Sequence, residues 1–150
     1  MDWRWKDWRG LTKEELYELL ALRQEVFVVE QDCPYLDADG LDQKAHHLLG
    51  YQEERLVAYA RAFPPEVIYA EAAIGRVITS AAIRGTGQGR PLMKTAMERV
   101  YEAYGACAIK LSAQAHLEAY YGDLGFAVCG EGYDEDGIPH LPMRCPAPGN

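Results

Sequence analysis

The sequence predicts an α/β (α+β) domain in the order β-α-(α)-β-β-β-α-β-α-β-β, and three observations carry that prediction. Seven short stretches are rich in apolar, β-branched or aromatic residues, and three longer ones repeat their apolar residues every three or four positions. Segments bearing Gly, Pro and Asp punctuate the joins. At 150 residues, 49% hydrophobic and 25% charged, the chain suits one core, placed at residues 1–145, with residues 146–150 as a disordered tail.

Trp3 and Trp5 alternate with Asp2, Arg4 and Lys6, the period of a strand with its aromatic face inward. Thr12-x-x-Glu15 is a capping box, and Leu16, Leu19, Leu20, Arg23, Val26, Phe27 and Glu30 follow at helical spacing, so one helix spans about residues 12–30. Residues 31–45 are acidic and hold Pro34 and Gly40, which makes them a loop with room for a short helical turn. Two apolar runs, 46–52 and 56–63, are split by Glu53-Glu54-Arg55 as a hairpin, and Pro64-Pro65 ends the second. Residues 72–80 form a further strand, in which Gly75 marks a bulge or a close backbone approach. Over residues 87–104, Leu92, Met93, Ala96, Met97, Val100 and Tyr101 take helical spacing, with Pro91 tolerated in the first turn and Gly105 closing the helix. A strand at 106–113 leads into a helix at 114–124 that Gly125 terminates. Closing strands at 126–133 and 138–144 flank the turn Asp134-Glu135-Asp136-Gly137.

Fifteen Lys and Arg against 23 Asp and Glu leave a net charge of −8. That charge repels phosphate backbones and anionic lipid, so neither nucleic-acid nor membrane partners are expected. No run approaches the ~18 apolar residues of a membrane span, and residues 1–10 lack the apolar core of a signal peptide, which points to a cytoplasmic protein. Cys33, Cys107, Cys129 and Cys145 form no C-x-x-C pair, so reduced, mostly buried thiols are expected and no metal. His46 and His47 face opposite sides of a strand and make no metal pair. Asp37, Asp39, Gly40 and Asp42 fail the spacing of an EF-hand, which leaves a solvated loop.

The chemistry lies in Arg84-Gly85-Thr86-Gly87-Gln88-Gly89, between a strand and a helix. A glycine-rich turn opening a helix aims backbone N–H groups and the positive helix end at one point, a cradle for phosphate. Charge follows suit: residues 84–99 hold four basic residues against one acidic, net +3, between segments of −6 and −5. A P-loop would place Lys-Ser or Lys-Thr directly after the last glycine, and Lys94-Thr95 begins five residues after Gly89. A dinucleotide fingerprint needs G-x-G-x-x-G in an early βαβ unit, whereas the spacing here is G-x-G-x-G in mid-chain. The pattern [QR]-x-x-G-x-[GA] is met in full by Arg84-x-x-Gly87-x-Gly89.

With that pattern the sequence resembles the GNAT superfamily of N-acetyltransferases, and Gln114-x6-Tyr121-x3-Gly125-Phe126 resembles its later Asn/Gln-x6-Tyr-x3-Gly-Phe segment. Leu22-Arg23-x-x-Val26-Phe27-Val28-Val29-Glu30-Gln31, Cys33-Pro34-Tyr35, Asp37-x-Asp39-Gly40 and Gly137-Ile138-Pro139-His140 look like the ElaA-like subfamily. The resemblance implies the acyl-CoA N-acyltransferase fold, a mixed, mostly antiparallel seven-stranded sheet flanked by about four helices and splayed between its fourth and fifth strands. It also implies acetyl-CoA as co-substrate, no metal, and an amine acceptor on a small molecule or a protein, attacking directly in a ternary complex. The charge of the flanking segments makes that acceptor cationic, and a homodimer is compatible with such folds. Two other readings stay open: an acyl-CoA-binding regulatory module without turnover, and an acyl-homoserine-lactone-synthase-like acyltransferase.

By that resemblance the backbone of Val77, Ile78 and Thr79 grips the pantetheine and the acetyl carbonyl, with the Ile78 N–H as the donor that stabilises a tetrahedral intermediate. Arg84 and the amides of Gly85, Thr86, Gly87, Gln88, Gly89 and Arg90 hold the pyrophosphate. Gln114 either reaches the pantetheine amides or caps a helix. Tyr121 is the candidate general acid, because CoA leaves as a thiolate whose acid has a pKa near ~8.5 and a phenol can protonate it; packing alone is the competing role. The ammonium proton of the acceptor has several candidate destinations, namely Glu30 at the end of the first helix, His47 and His140 on strands, a water chain, or backbone carbonyls.

Overall fold

The computed structural model describes residues 1–149, so the expected tail ends on Asn150, outside the described residues. The chain divides into two compact units, Met1–Ala62 with Arg76–Arg99, and Phe63–Gly75 with Val100–Asn150.

In the first unit, β1 (Asp2–Asp7) pairs antiparallel with β2 (His46–Gln52), which pairs antiparallel with β3 (Arg55–Phe63). The turn between β2 and β3 is Glu53-Glu54, both left-handed, as a two-residue hairpin requires. Trp3 faces Gly50 across the ladder, where an added Cβ would sit 2.6 Å from the indole. Both faces of β1 are half-buried rather than the aromatic one alone, because Arg4 reaches Glu15 of the first helix and lies 4.1 Å over the Tyr51 ring.

That helix, α1 (Lys13–Arg23), opens on the expected capping box: Thr12 Oγ1 accepts from the Glu15 N–H at 3.0 Å and Glu15 Oε1 accepts from the Thr12 N–H at 2.9 Å. The predicted single helix over 12–30 stops being α at Arg23 and widens into a π-helical segment, Gln24–Glu30, which holds the β-branched Val26, Val28 and Val29. Leu19, Leu22 and Val26 pack with Leu49, Tyr51, Tyr59 and Ile78 to make this unit's core.

β4 (Ala72–Thr79) runs through both units, and its last residues lie beside β3, since the Ser80 N–H donates to the Val57 carbonyl at 2.7 Å. α2 (Gly89–Tyr104) follows, its Leu92, Met93, Ala96 and Val100 buried as the spacing predicts.

In the second unit, β4 runs parallel to β5 (Ile109–Gln114) at two positions only, Ala72 with Ile109 and Ala73 with Lys110. β5 pairs antiparallel with β8 (Ile138–Cys145), and β8 also carries β6 (Ala127–Val128) and β7 (Tyr133–Glu135). The described residues thus form eight strands rather than seven, because the predicted strand over 126–133 is interrupted at Gly130 and Gly132, where a Cβ would press on Pro142 and Leu141. α3 (Glu118–Gly122) is a short helix after a 3₁₀ turn at Ala115–Leu117, so three α-helices stand where about four were expected. The β7–β8 turn is Asp136-Gly137, both left-handed.

Of the four cysteines, only Cys145 is buried, against the expectation that most would be. Among the described residues, no helix is long and apolar enough to cross a membrane, and no group of three or more His, Cys, Asp or Glu is placed to hold a metal ion.

Candidate active site

The end of β4 and the turn after it are built by local rules. Ser80 caps a 3₁₀ turn at Ala81–Ile83 by accepting from the Ala82 N–H, and Thr86 closes back on the Ile83 carbonyl. Gly85 and Gly87 both take left-handed backbone at φ near +80°, with open space around a built Cβ, so glycine is required there for conformation rather than for room. Gly89 then opens α2, whose first turn holds Pro91. The Leu92 N–H already reaches the Gln88 carbonyl. Val77 and Thr79 are half-buried, whereas Ile78 is buried in the core.

Backbone alternation decides which β4 amides face which edge. The Ser80 N–H points to β3, and the Thr79 carbonyl points the other way, where it accepts from Arg84. Residues two apart share an edge, so the Ile78 N–H falls on the β3 edge, and the N–H groups of Val77 and Thr79 fall on the opposite one. The expected donor, the Ile78 N–H, therefore faces β3, and the amides of Val77 and Thr79 face away from it.

Arg84 and Glu30 come together. The guanidinium donates from Nε and Nη2 to the Thr79 carbonyl at 3.2 and 3.0 Å, and Nη1 lies 2.5 Å from Glu30 Oε1. Arg84 therefore ties the last residue of the π-helical segment to the end of β4, and the Glu30 carboxylate has a cation on it.

Sequence reasoning missed what lies behind this. The loop read as solvated buries Asp37 and Asp42, and the Asp39 side chain is 24% exposed. Arg23, fully buried, donates to Asp37 at 2.6 Å and to Asp42 at 2.7 Å. Arg61 donates to Asp42 at 2.9 Å and to both oxygens of Asp39 at 3.0 and 2.8 Å. Arg76 of β4 donates to Asp37 at 2.8 Å. Three aspartates from one loop thus hold arginines from α1, β3 and β4; what makes burial of so many charges tolerable is that each is paired. The available signal was Arg23 lying on the apolar stripe of its helix and Arg61 lying inside an apolar strand. The irregularity of β4 also sits one residue past Gly75: Arg76 itself is left-handed at φ 50°, a conformation that costs a non-glycine residue on the order of 1–3 kcal/mol.

His47 belongs to the same cluster. It is fully buried, with Nε2 donating to the Asp42 carbonyl at 2.9 Å and Nδ1 2.6 Å from the Tyr59 hydroxyl. Burial chiefly holds its pKa below the ordinary value, with Arg23 and Arg61 adding to the effect against the pull of Asp42. A histidine kept neutral in the fold but free to protonate when unfolded contributes stability above about pH 6.5 that is lost as the pH falls. Burial raises Asp39 and Asp42, but hydrogen bonds from Arg61 and Arg23 outweigh it, holding Asp39 at about 2 and Asp42 below its usual range. Their contribution is present above the unfolded carboxylate range near ~4 and disappears toward pH ~2. Melting followed by circular dichroism should therefore show Tm declining between pH 7 and 5 and again below pH 4. His47→Asn should shallow the first decline only, leaving the share of His46, whose pKa burial also lowers.

In the second unit, Gln114 ends β5 and opens the 3₁₀ turn, yet its side chain makes no capping hydrogen bond. Tyr121 is buried on α3, edge-on to Tyr120 and Phe126, and burial with the neighbouring Tyr120 pushes its pKa up to about 12. His140 lies opposite Gln114 in the β5–β8 ladder, with Nδ1 donating to the Ile138 carbonyl at 2.7 Å and Nε2 3.3 Å from Glu135. Tyr133 stacks on it and shares a hydrogen bond with Ser112.

Comparison with known proteins fits this geometry. The family described as acetyltransferase (GNAT) domain matches residues 12–147. A UPF0039 protein of Synechocystis sp. is 45% identical over 100% of this chain and 98% of its own length. Protein ElaA of Escherichia coli is 42% identical over 95% of each chain, and its crystal structure matches with a TM-score of 0.90 over 96% of this chain and 98% of that one. The crystal structure of an acyl-CoA N-acyltransferase from Pseudomonas aeruginosa is 46% identical, with a TM-score of 0.91 over 97% and 99% of the two chains. By family match, sequence identity and fold alike, the chain belongs to the GNAT family, within the group that includes ElaA and the UPF0039 proteins.

Proposed function

We propose that the chain is an acetyl-CoA-dependent N-acetyltransferase acting on an amine by direct attack in a ternary complex. The observation that carries this reading is the turn Arg84-x-x-Gly87-x-Gly89, with two left-handed glycines between β4 and α2. Such a turn suits the pyrophosphate, gripped by the amides from Gly85 to Arg90. The pantetheine runs along the β4 edge that carries the Val77 and Thr79 N–H groups, and the Gln114 amide reaches its peptide-like groups. The Val77 N–H faces the thioester oxygen and stabilises the charge that develops there.

In the reaction the amine nitrogen attacks the thioester carbon, the C–S bond breaks, and the thiolate takes the phenolic proton of Tyr121. The acceptor ammonium first gives one proton to water, and the second proton, lost from the attacking nitrogen as the amide forms, returns through water to the Tyr121 phenolate. Glu30, His47 and His140 are left out of this path: Arg84 already holds the Glu30 carboxylate, and both ring nitrogens of each histidine are engaged. The acceptor is cationic, in keeping with the exposed Asp134, Glu135 and Asp136 at the β7–β8 turn.

The test is free-thiol release from acetyl-CoA with a panel of cationic, neutral and acidic amines at low and high salt. Amine-dependent release, fastest for cationic amines and slowed by salt, is expected. A preference for acidic acceptors that salt leaves unchanged would remove the cationic assignment, and CoA binding without turnover on any amine would favour a regulatory module.

A further inference from the structure

We infer that Arg76 is a positioning residue, and that its ion pair with Asp37 holds β4 in the left-handed kink that aims the Val77 N–H at the acyl carbonyl. The inference rests on the acyl-CoA reading above and names what sets the geometry of that site. Residue 76 is left-handed inside a strand although Gly75, which could adopt that conformation without strain, stands next to it. Something must hold an arginine there. Its Nε donates to Asp37 Oδ1 at 2.8 Å, Nη2 lies 3.6 Å from Asp39, and the guanidinium sits 5.7 Å over the Phe27 ring. Asp37 is itself immobilised, since Arg23 grips its other oxygen at 2.6 Å and its carbonyl at 3.0 Å, and Tyr35 donates to it at 3.1 Å.

The peptide plane between residues 76 and 77 carries the Val77 N–H, so the torsions of Arg76 set where that donor points. Were residue 76 to relax to ordinary extended backbone, the plane would rotate and the donor would leave its line. The acidic loop, remote in sequence, thereby fixes the one backbone group that meets the reacting carbonyl. Pyrophosphate binding, which depends on the turn after Arg84, does not pass through this ion pair.

The two contributions separate by calorimetric titration with two probes: free CoA, and an acetyl-CoA analogue with a methylene in place of the thioester sulfur. The ratio of their affinities reports the carbonyl contact and does not depend on turnover. Arg76→Ala and Arg76→Gly delete the same ion pair, but only glycine tolerates the left-handed backbone, and both leave the Arg23–Asp37 pair intact to support the fold. Arg76→Ala should lower the analogue-to-CoA ratio about tenfold, the value of one hydrogen bond, with CoA affinity itself unchanged within about twofold. Arg76→Gly should keep most of the ratio, and Asp37→Asn, if it folds, should behave like Arg76→Ala. A ratio that survives in Arg76→Ala, or falls equally in Arg76→Ala and Arg76→Gly, would overturn the inference alone. Failure of the unaltered chain to bind either probe would instead remove the acyl-CoA reading, and this inference with it.

Discussion

Arg23→Ala should destabilise the fold by about 3–5 kcal/mol, the range for removing one partner of a buried ion pair. Arg23 is wholly inaccessible and serves two aspartates, Asp37 and Asp42, that are themselves buried. Truncation leaves Asp37 to Arg76 and Asp42 to Arg61 and opens a cavity the size of the side chain beneath Tyr59. For a chain of this length about 1 kcal/mol moves Tm by roughly 2–4 °C, so a drop on the order of 10 °C is expected in thermal melts. Arg144→Ala supplies the contrast: its pair with Glu71 has the arginine 45% exposed, and such pairs contribute about 0–1 kcal/mol. Equal stability of the two variants would mean that the acidic loop is not held by its charges.

Tyr121→Phe should lower kcat about 100-fold, the lower end of what a positioned general acid contributes, while CoA affinity and Tm stay near those of the unaltered chain. The ring keeps its edge-on packing against Tyr120 and Phe126 when only the hydroxyl is lost. With its pKa pushed up to about 12, the phenol keeps its proton across the neutral range, and kcat should show no alkaline decline attributable to it below about pH 11. A phenol that weak can still protonate a thiolate expelled into apolar surroundings, because the same desolvation raises the thiol. Unchanged kcat would return Tyr121 to a packing role.

How much of this the sequence disclosed depended on distance along the chain. The glycine-rich turn was legible because its residues are contiguous and each has a local reason: left-handed backbone at Gly85 and Gly87, a helix start at Gly89. The capping box of Thr12 and Glu15 was legible for the same reason. The cluster behind β4 was not, since Arg23 meets Asp42 across 19 residues and Arg76 meets Asp37 across 39, and three aspartates in a loop read by default as solvated. Gly75 drew attention to the right stretch of β4, but the kink belongs to Arg76, whose side chain has a partner that local pattern cannot supply. The direction of the Ile78 amide was illegible for a similar reason, because the edge an amide faces is fixed by which neighbour its strand pairs with, and here the Ser80 bond to Val57 decides it. Glu30 stood as one candidate base at the end of the first helix, and its ion-pair partner Arg84 lies on another element.

The account stands or falls on whether acyl-CoA binds at the turn between β4 and α2, and calorimetric titration of CoA into the unaltered chain and Gly87→Val tests that most directly. Gly87 has φ near +80°, which a β-branched residue cannot adopt without strain, so the substitution should distort the cradle without touching the core. The account predicts saturable binding that weakens as salt rises, and an affinity at least about tenfold lower in Gly87→Val. No binding by the unaltered chain, or equal affinity in the two proteins, would contradict it.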